Sequence, residues 1–222
     1  MKTIATLSTE SFIQTNNKHQ LITLESGAQF EHFLIGNCGA ITVHVKKDAL
    51  YSPLMFSSNE DEQKIDLTIY LEEPGAEVDL KGLLKGNSKQ EILNTVTVHH
   101  KAEATSSHQY LKSLADNDAQ INLVSNVKIE ENTKQSSATQ LSKCLLLSET
   151  ATISAKPNLE IDHDDITASH GASIGALNPE ALFFLQSRGL PEVQAKELLL
   201  TAFSNEILEL IHNEQVLELI SV

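Results

Sequence analysis

The chain has 222 residues, of which 41% are hydrophobic and 5% aromatic, with no Trp, so it can bury a core built mainly from aliphatic side chains. Its formal net charge is −14 at pH 7, and such a surface repels nucleic-acid phosphates and anionic membranes. Two cysteines are too few for a disulfide scaffold and favour a reducing compartment. No signal peptide and no run of about 18 apolar residues is found. We therefore expect a soluble, cytoplasmic protein that binds neither nucleic acid nor membrane.

A polar N-terminal segment, residues 1–20, precedes a long region, residues 21–176, in which the hydrophobic pattern has a period of two. The clearest case is IDLTIYL at 65–71, whose four aliphatic residues fall on one face of a half-buried strand. The same pattern is weaker in ITVHV (41–45), TVTVH (95–99) and INLVSNVKI (121–129), the last with a turn or bulge expected near Ser125–Asn126.

A turn-forming or small residue followed by Ala recurs between these strands. It occurs as GAQF (27–30), GAIT (39–42), GAEV (75–78), DAQI (118–121), TATI (150–153) and GASI (171–174). Repeated units of turn plus strand favour stacked coils, in which each coil covers the hydrophobic face of the next. The pattern therefore predicts an irregular β-helix or a wrapped β-sandwich.

The period changes to that of a helix at residue 178, where Asn178 suits an N-cap and Pro179 the first helical position. Gly189 lies where a left-handed C-cap is expected, and a second helix begins after it. We expect a helical hairpin over about 178–213 within a C-terminal helical domain, 177–222. The end of the chain, EQVLELISV, is apolar enough to pack on the rest or to form a last strand.

An inner stripe of this hairpin is expected to be core, namely Phe183, Leu198 and Phe203. A helix–turn–helix can also read DNA, but this one carries two basic and seven acidic residues between positions 178 and 222. That charge argues against a recognition helix.

Histidines and acidic clusters are the candidates for metal chemistry. His99 and His100 are adjacent and should point to opposite faces of a strand, although His108 could join one of them after a turn. EIDHDD at 160–165 could bind a hard divalent cation, or it could be a solvated acidic edge that blocks sheet pairing. His170 stands in a run of small residues, ASHGA at 168–172, that would admit a metal, a partner chain or another backbone. No nucleotide-binding loop and no nucleophile motif is found.

Several segments in the same order resemble the SufB/SufD family, the scaffold proteins of the SUF iron–sulfur cluster assembly machinery. They are P-x-L-E-I at 157–161, S-H-G-A at 169–172, F-x-x-S-R-G at 184–189, and the upstream stretches VHHKAEATSSHQYLKSL (98–114) and ATQLSKCLLLSETA (138–151). The His-Gly-Ala form is more similar to SufD than to SufB.

The resemblance implies a mainly β fold, a right-handed parallel β-helix followed by a small helical domain. It implies a non-enzymatic scaffold that pairs with a SufB-like protein through the β-helix and docks a SufC-like ABC-type ATPase through the C-terminal helices. It places Ser169, His170, Gly171 and Ala172 at the SufB-like interface, with His170 as a ligand of a transient iron–sulfur cluster and no permanently bound cofactor. We place the ATPase-docking surface near Phe184, Arg188 and Gly189, because an apolar turn with one Arg suits an interface centre.

The chain departs from the family pattern in two places. Ala168 stands where SufD proteins often have Cys, so that a cluster would need thiolates from the partner, and Cys144 is expected to be a buried core thiol. SufD proteins also typically carry a longer N-terminal region with a helical domain, whereas here about 20 polar residues precede the first expected strand. Two alternatives stay open, a homodimeric adaptor without a cluster role and a metal-dependent enzyme on a β-helix.

Overall fold

The computed structural model describes residues 2–4, 9–131 and 133–220, and within them the chain winds into two parallel β-sheets followed by three helices. The odd-numbered strands form the first sheet: β1 (Lys2–Ile4), β3 (Gln20–Leu24), β5 (Gly39–Val45), β7 (Glu62–Leu71), β9 (Glu91–His100), β11 (Gln120–Ile129) and β13 (Thr152–Ile161). The even-numbered strands form the second sheet: β2 (Thr9–Gln14), β4 (Gln29–Ile35), β6 (Leu50–Phe56), β8 (Glu77–Gly86), β10 (Ser106–Ala115), β12 (Ser136–Leu146) and β14 (Ile166–Gly175).

Each strand pairs in parallel with the strands one coil before and one coil after it, so the chain alternates between the sheets as it climbs. The register stays constant along the stack: Glu62 is aligned with Glu91, Glu91 with Gln120, and Gln120 with Thr152. This is a parallel β-helix, as expected, and a wrapped sandwich of antiparallel strands is ruled out for the described strands.

The core lies between the two sheets and is aliphatic, because alternate residues of every strand point inward. In β7 the residues Ile65, Leu67, Ile69 and Leu71 are all 0 to 1% exposed, which confirms the predicted strand. β11 runs without interruption from Gln120 to Ile129. The turn or bulge expected near Ser125–Asn126 is therefore wrong, since Ser125 points inward, where its hydroxyl is hydrogen bonded.

The C-terminal region contains α1 (Pro179–Ser187), α2 (Glu192–Leu208) and α3 (Glu214–Ile220). Asn178 caps α1 by accepting hydrogen bonds from the backbone N–H groups of Glu180 and Ala181. Gly189 adopts a φ of 92° just after α1, as expected of a left-handed residue at a helix end. The last segment is helical, so the alternative of a final strand is wrong for the described residues, which end at 220.

The predicted inner stripe of the hairpin is wrong. Phe183 is 69% exposed and Leu198 is 49% exposed, and Phe203 is only half-buried. α1 contacts α2, where Ala195 is fully buried, but α1 itself contains no buried residue. The second half of α2 and α3 pack on the outer face of the second sheet. Their buried contacts form a second hydrophobic cluster: Phe33, Ile35, Leu54, Phe56, Leu83, Ile207, Ile211 and Val216.

Strands also occur before residue 21, where we expected a polar segment, because β1 and β2 lie within residues 2–14. Residues 1 and 5–8 of that segment lie outside the described residues. The division of the chain at residues 20 and 176 stays a prediction. None of the helices in the described ranges is long and apolar enough to cross a membrane.

Candidate interaction site at the open end of the β-helix

The last coil of the β-helix, formed by β13 and β14, has no coil above it. β13 pairs only with β11 and β14 only with β12, which leaves one edge of each strand unpaired within the described residues. Inward-pointing side chains of this last coil are therefore more exposed than the aligned side chains one coil below. Ile129 is 0% exposed, whereas its neighbour Ile161 in the last coil is 42% exposed. The end of the β-helix therefore presents apolar side chains and free backbone hydrogen-bonding groups together.

The motif Ser169-His170-Gly171-Ala172 lies in the middle of β14, on this open coil. Strand alternation places His170 on the same face as Ile166 and Ala168, which pack against the core, so its imidazole belongs to the inward face. The side chain is nevertheless exposed, because no coil covers it. The sequence pattern placed GASI (171–174) at a turn between strands, which is wrong, because β14 runs without interruption from Ile166 to Gly175. The inward orientation of His170 was not predicted.

The small residues of β14 are not required by packing within this chain. A Cβ added to Gly171 would meet only the Leu141 side chain, at 3.7 Å, which is an ordinary contact distance. A Cβ added to Gly175 would meet nothing within 4 Å. Neither glycine is therefore needed for packing among the described residues. The expectation that the small residues admit a metal, a partner chain or another backbone stays a prediction.

Beneath His170 lies a chain of buried side-chain hydrogen bonds that sequence reasoning missed. The Nε2 of Gln140 donates to the hydroxyl and the backbone oxygen of Ser125, at 2.8 and 2.9 Å. The hydroxyl of Ser125 donates to Oε1 of Gln109 at 2.6 Å. The register aligns Gln109 with Gln140 and Gln140 with His170. The only sequence signal was a polar residue at an inward position of each predicted strand.

The two cysteines are buried and form no disulfide, and Cys144 is aligned with Ile174 of the open coil. Burial raises the pKa of Cys38 to about 12 and that of Cys144 to about 11. Both are therefore neutral thiols at physiological pH, which suits core packing rather than metal ligation. The prediction of a buried Cys144 is confirmed, since its exposure is 2%.

The other histidine candidates are not brought together. His99 lies on the outer face of the first sheet, stacked on Tyr70 with ring centroids 4.7 Å apart, and burial lowers its pKa. His100 points inward and contacts the hydroxyls of Thr105 and Ser107. His108 lies on the second sheet, where its Nδ1 is 3.1 Å from Asp79.

The acidic segment 162–165 forms the loop between β13 and β14 rather than a strand. In this loop the backbone N–H of Asp165 donates to the Nδ1 of His163. Across the described residues no group of three or more His, Cys, Asp or Glu side chains is arranged to hold a metal ion.

The turn between α1 and α2 forms a second exposed apolar surface, here called the hairpin surface: Phe183, Phe184, Arg188, Gly189 and Val193. Phe184 is 56% and Val193 is 76% exposed. The Arg188 guanidinium lies over the Phe184 ring, 5.1 Å from its centroid. A groove of about 550 Å³ between α2 and the β-helix begins at Val193 and extends this surface along α2.

Comparison with known proteins gives consistent results. A family model described as "SUF system FeS cluster assembly, SufBD core domain" matches residues 4–203. An iron–sulfur cluster assembly SufBD family protein of Synechocystis is 36% identical over 127 residues, which are 57% of this chain and 28% of that protein. The iron–sulfur cluster assembly protein SufD of Bacillus subtilis is 35% identical over 126 residues, 56% of this chain and 29% of that protein.

The chloroplastic protein ABCI7 of Arabidopsis thaliana is similar over a longer stretch. It is 28% identical over 218 residues, which are 95% of this chain and 40% of that protein. The chain thus corresponds to well under half the length of each of these relatives. The family model, which ends at residue 203, covers the open coil, α1 and most of α2 in this chain.

Proposed function

Because this chain belongs to the SufBD core domain family, we propose that it is a non-catalytic, SufD-like scaffold subunit in iron–sulfur cluster assembly. It pairs with a SufB-like scaffold through the open coil and docks a SufC-like ABC-type ATPase through the hairpin surface. The observation that carries this proposal is the open coil itself, an unpaired sheet edge on which the S-H-G-A motif is exposed.

An unpaired sheet edge is normally covered or blunted, because it pairs readily with another chain. Here the edge strands are ten residues long and end in exposed aliphatic side chains, with Ile161 at 42% and Ile174 at 45% exposure. A second β-helix placed against this end would satisfy the free backbone groups and bury the aliphatic side chains together. This supports pairing with a protein of the same fold.

The cluster is cargo at this interface, and His170 is the one side chain of the open coil that we assign as its ligand. A neutral imidazole is a suitable ligand for iron. The chain offers no thiolate beside it, because Ala168 occupies the neighbouring inward position and Cys144 is a buried neutral thiol. The remaining ligands, thiolates above all, must come from the partner.

The hairpin surface suits a second partner, because it is apolar at its centre and takes no part in holding the helices on the β-helix. The contacts that anchor the helices lie elsewhere, in the cluster around Ile207 and Val216. An exposed Phe beside an Arg is the composition of an interface hot spot. The adjoining groove along α2 offers room for a side chain of the ATPase.

The test is co-expression of the full chain with a SufB-like scaffold and a SufC-like ATPase, followed by purification of the complex. Deletion of residues 178–222 is a poor tool, since it would uncover the second hydrophobic cluster. Point variants at the two surfaces are better. We expect Ile174→Lys to release the scaffold partner and Phe184→Ser or Arg188→Glu to release only the ATPase.

Matched controls are available on other faces of the molecule. Leu93, 37% exposed on β9, serves as Leu93→Lys for the open coil, and Leu219, 42% exposed on α3, serves as Leu219→Ser for the hairpin surface. Both control variants should retain the full complex. If all three site variants also retain it, the two surfaces are misplaced. If His170→Ala leaves cluster assembly by the complex unchanged, the ligand role is wrong.

A homodimeric adaptor is the second candidate, because the same open edge can pair with its own copy about a two-fold axis. The molar mass of the isolated chain in solution separates the two. A dimer that Ile174→Lys dissociates, and that does not exchange for a SufB-like partner, would favour the adaptor. Exchange into a heterodimer would favour the scaffold.

A further inference from the structure

Gln140 lies at the centre of a buried ladder of polar side chains that ends at the open coil. Gln109, Gln140 and His170 occupy aligned positions on the inward faces of β10, β12 and β14. Neighbouring strands of a sheet are about 4.8 Å apart, so aligned side chains on one face lie within contact distance. The two glutamines are 1% and 4% exposed.

The amide of Gln140 can point only one way. Its side chain reaches the backbone oxygen of Ser125, and only an amide N–H can donate to that oxygen. This fixes Nε2 toward β11 and leaves Oε1 as the free acceptor. Oε1 is buried and has no hydrogen-bond partner among the described residues. An unpartnered buried acceptor is costly and is rarely left unused in a native fold.

The residues aligned with Gln140 on the two neighbouring strands, Gln109 and His170, each carry a donor. The Nε2 of Gln109 is buried and also has no hydrogen-bond partner in the described part of the chain. A ring N–H of His170 is the donor on the other side. A carboxamide oxygen has two lone pairs and can accept from both.

We propose that Gln140 is a positioning residue for His170, its carboxamide oxygen accepting a hydrogen bond from one ring nitrogen of the imidazole. This bond fixes the tautomer, because the nitrogen that faces Gln140 must carry the proton. The other nitrogen then presents its lone pair away from the core, toward whatever covers the open coil. A hydrogen bond of this kind commonly orients histidine ligands and raises their basicity. The use of that lone pair rests on the proposed function, whereas the contact itself does not.

The hydrogen-bond chain sets the direction of this arrangement. Gln140 donates to Ser125, and Ser125 uses its only proton to donate to Gln109. Ser125 therefore cannot donate to Gln140, and the acceptor of Gln140 stays available for the coil above. A glutamine that is anchored at its nitrogen in this way holds the imidazole more firmly than a mobile surface acceptor could.

The test is ¹⁵N NMR of the histidine side chains in the full-length chain, which reports which ring nitrogen of His170 is protonated. In the wild type we expect one tautomer of His170 to predominate over the other. In Gln140→Met, which preserves the side-chain length but removes the acceptor, the tautomer ratio should fall by about fivefold, as expected for the loss of one buried hydrogen bond. Gln140→Asn, which withdraws the oxygen by one methylene, should act in the same direction if the Met variant does not fold.

Asn94→Leu is the control, because Asn94 is 3% exposed and inward-facing but is not in the ladder. It should leave the tautomer ratio of His170 unchanged. A folded Gln140→Met variant with the wild-type ratio would overturn the inference, as would a wild-type His170 with the same tautomer mixture as exposed His19. This outcome is separate from the proposed function. A tautomer that depends on Gln140 in a chain that assembles no cluster would support the inference and count against the ligand role.

Discussion

The contact between Lys112 and Glu206 offers the sharpest test of how the helices are held on the β-helix. Lys112 lies on the outer face of β10 under α2, and its side chain is only 1% exposed. Its ammonium donates to Glu206 at 2.8 Å and to the backbone oxygen of Phe203 at 2.6 Å. It also lies 4.3 Å from the centroid of the Phe203 ring. Glu206 is 55% exposed, and its pKa is lowered by hydrogen bonds from Lys112 and Tyr110.

The Lys112 ammonium is buried whereas Glu206 is half-exposed, so substituting the two residues should lower the free energy of unfolding by different amounts. At 2.8 Å the attraction is about 6 kcal/mol with an effective dielectric constant of about 20. Most of it offsets the desolvation of the buried ammonium. Glu206→Gln removes the attraction and leaves the ammonium buried, so it should destabilise the helical region by about 2 to 4 kcal/mol. Lys112→Met removes the buried charge as well and leaves an exposed carboxylate in water, so it should cost about 1 kcal/mol or less.

The measurement is urea unfolding of the full chain by circular dichroism, with amide hydrogen exchange in α2 to detect local opening. The double variant should be about as stable as Lys112→Met alone, because Glu206 has no buried charge left to compensate. Lys196→Met, which removes an exposed pair with Glu192 on the same helix, is the control and should change stability by less than about 0.5 kcal/mol. If Lys112→Met is more destabilising than Glu206→Gln, the assignment of the buried ammonium as the costly group is wrong.

Three further predictions concern the core. Burial lowers the pKa of His100 from 6.5 to about 4, so the folded state is favoured by the neutral imidazole and this contribution is complete above pH 6.5. As the pH falls to 4, the free energy of unfolding should decrease by about 3 kcal/mol through this group. Unfolding measurements on His100→Gln should lack this pH dependence. A Cβ at Gly82 would lie 2.9 Å from a backbone oxygen of β6, so Gly82→Ala should lower the unfolding free energy by about 1 to 3 kcal/mol, whereas Gly175→Ala should not. Phe183→Ser should leave the unfolding midpoint unchanged, whereas Ile207→Ala should lower the free energy by about 2 to 5 kcal/mol; the reverse order would restore the rejected inner stripe.

The β-helix could be predicted because its evidence is local and repeated. In each strand the alternation of apolar and polar residues indicates which face points inward, as it does from Ile65 to Leu71. The same pattern recurs in each coil. The helix boundaries followed from Asn178 and Gly189 for the same reason, since caps depend on nearby backbone groups. The register between coils and the position of the helices on the second sheet depend on contacts between residues far apart in sequence. Periodicity carries no information about them.

The wrong prediction that Phe183, Leu198 and Phe203 are core residues shows what helical periodicity does not determine. A helical pattern tells which residues share a face, but not which of two apolar faces will be covered. Phe183 and Leu198 are left exposed, whereas Ile207 and Val216 are buried against the sheet. An amphipathic hairpin with apolar residues on both sides is typical of a segment that has contacts of its own and contacts for a partner. Of the three residues that the pattern misplaced, Phe183 lies on the hairpin surface, which we assign to docking.

His170 and Gln140 illustrate the same division at the open coil. His170 was a candidate from the sequence because small residues surround it. Gln140 lies among ordinary strand residues, and only the strand register, which aligns it with His170, indicates a role for it. No single-strand pattern could supply that pairing, because it joins positions 30 residues apart along the chain.

Strand β10 contacts the helical region on its outer face and belongs to the polar ladder beneath His170 on its inner face. Substitutions on the two faces should therefore have separate effects. On its outer face Lys112 and Tyr110 hold α2, and on its inner face Gln109 begins the ladder that leads to His170. Because successive side chains point to opposite faces, Glu206→Gln, which leaves the Lys112 ammonium buried on the outer face without its partner, should loosen the helical region without altering the tautomer of His170. Gln140→Met should do the converse. If either variant moves both readouts, β10 itself shifts as a unit, and the helical region and the open coil are mechanically coupled through that strand.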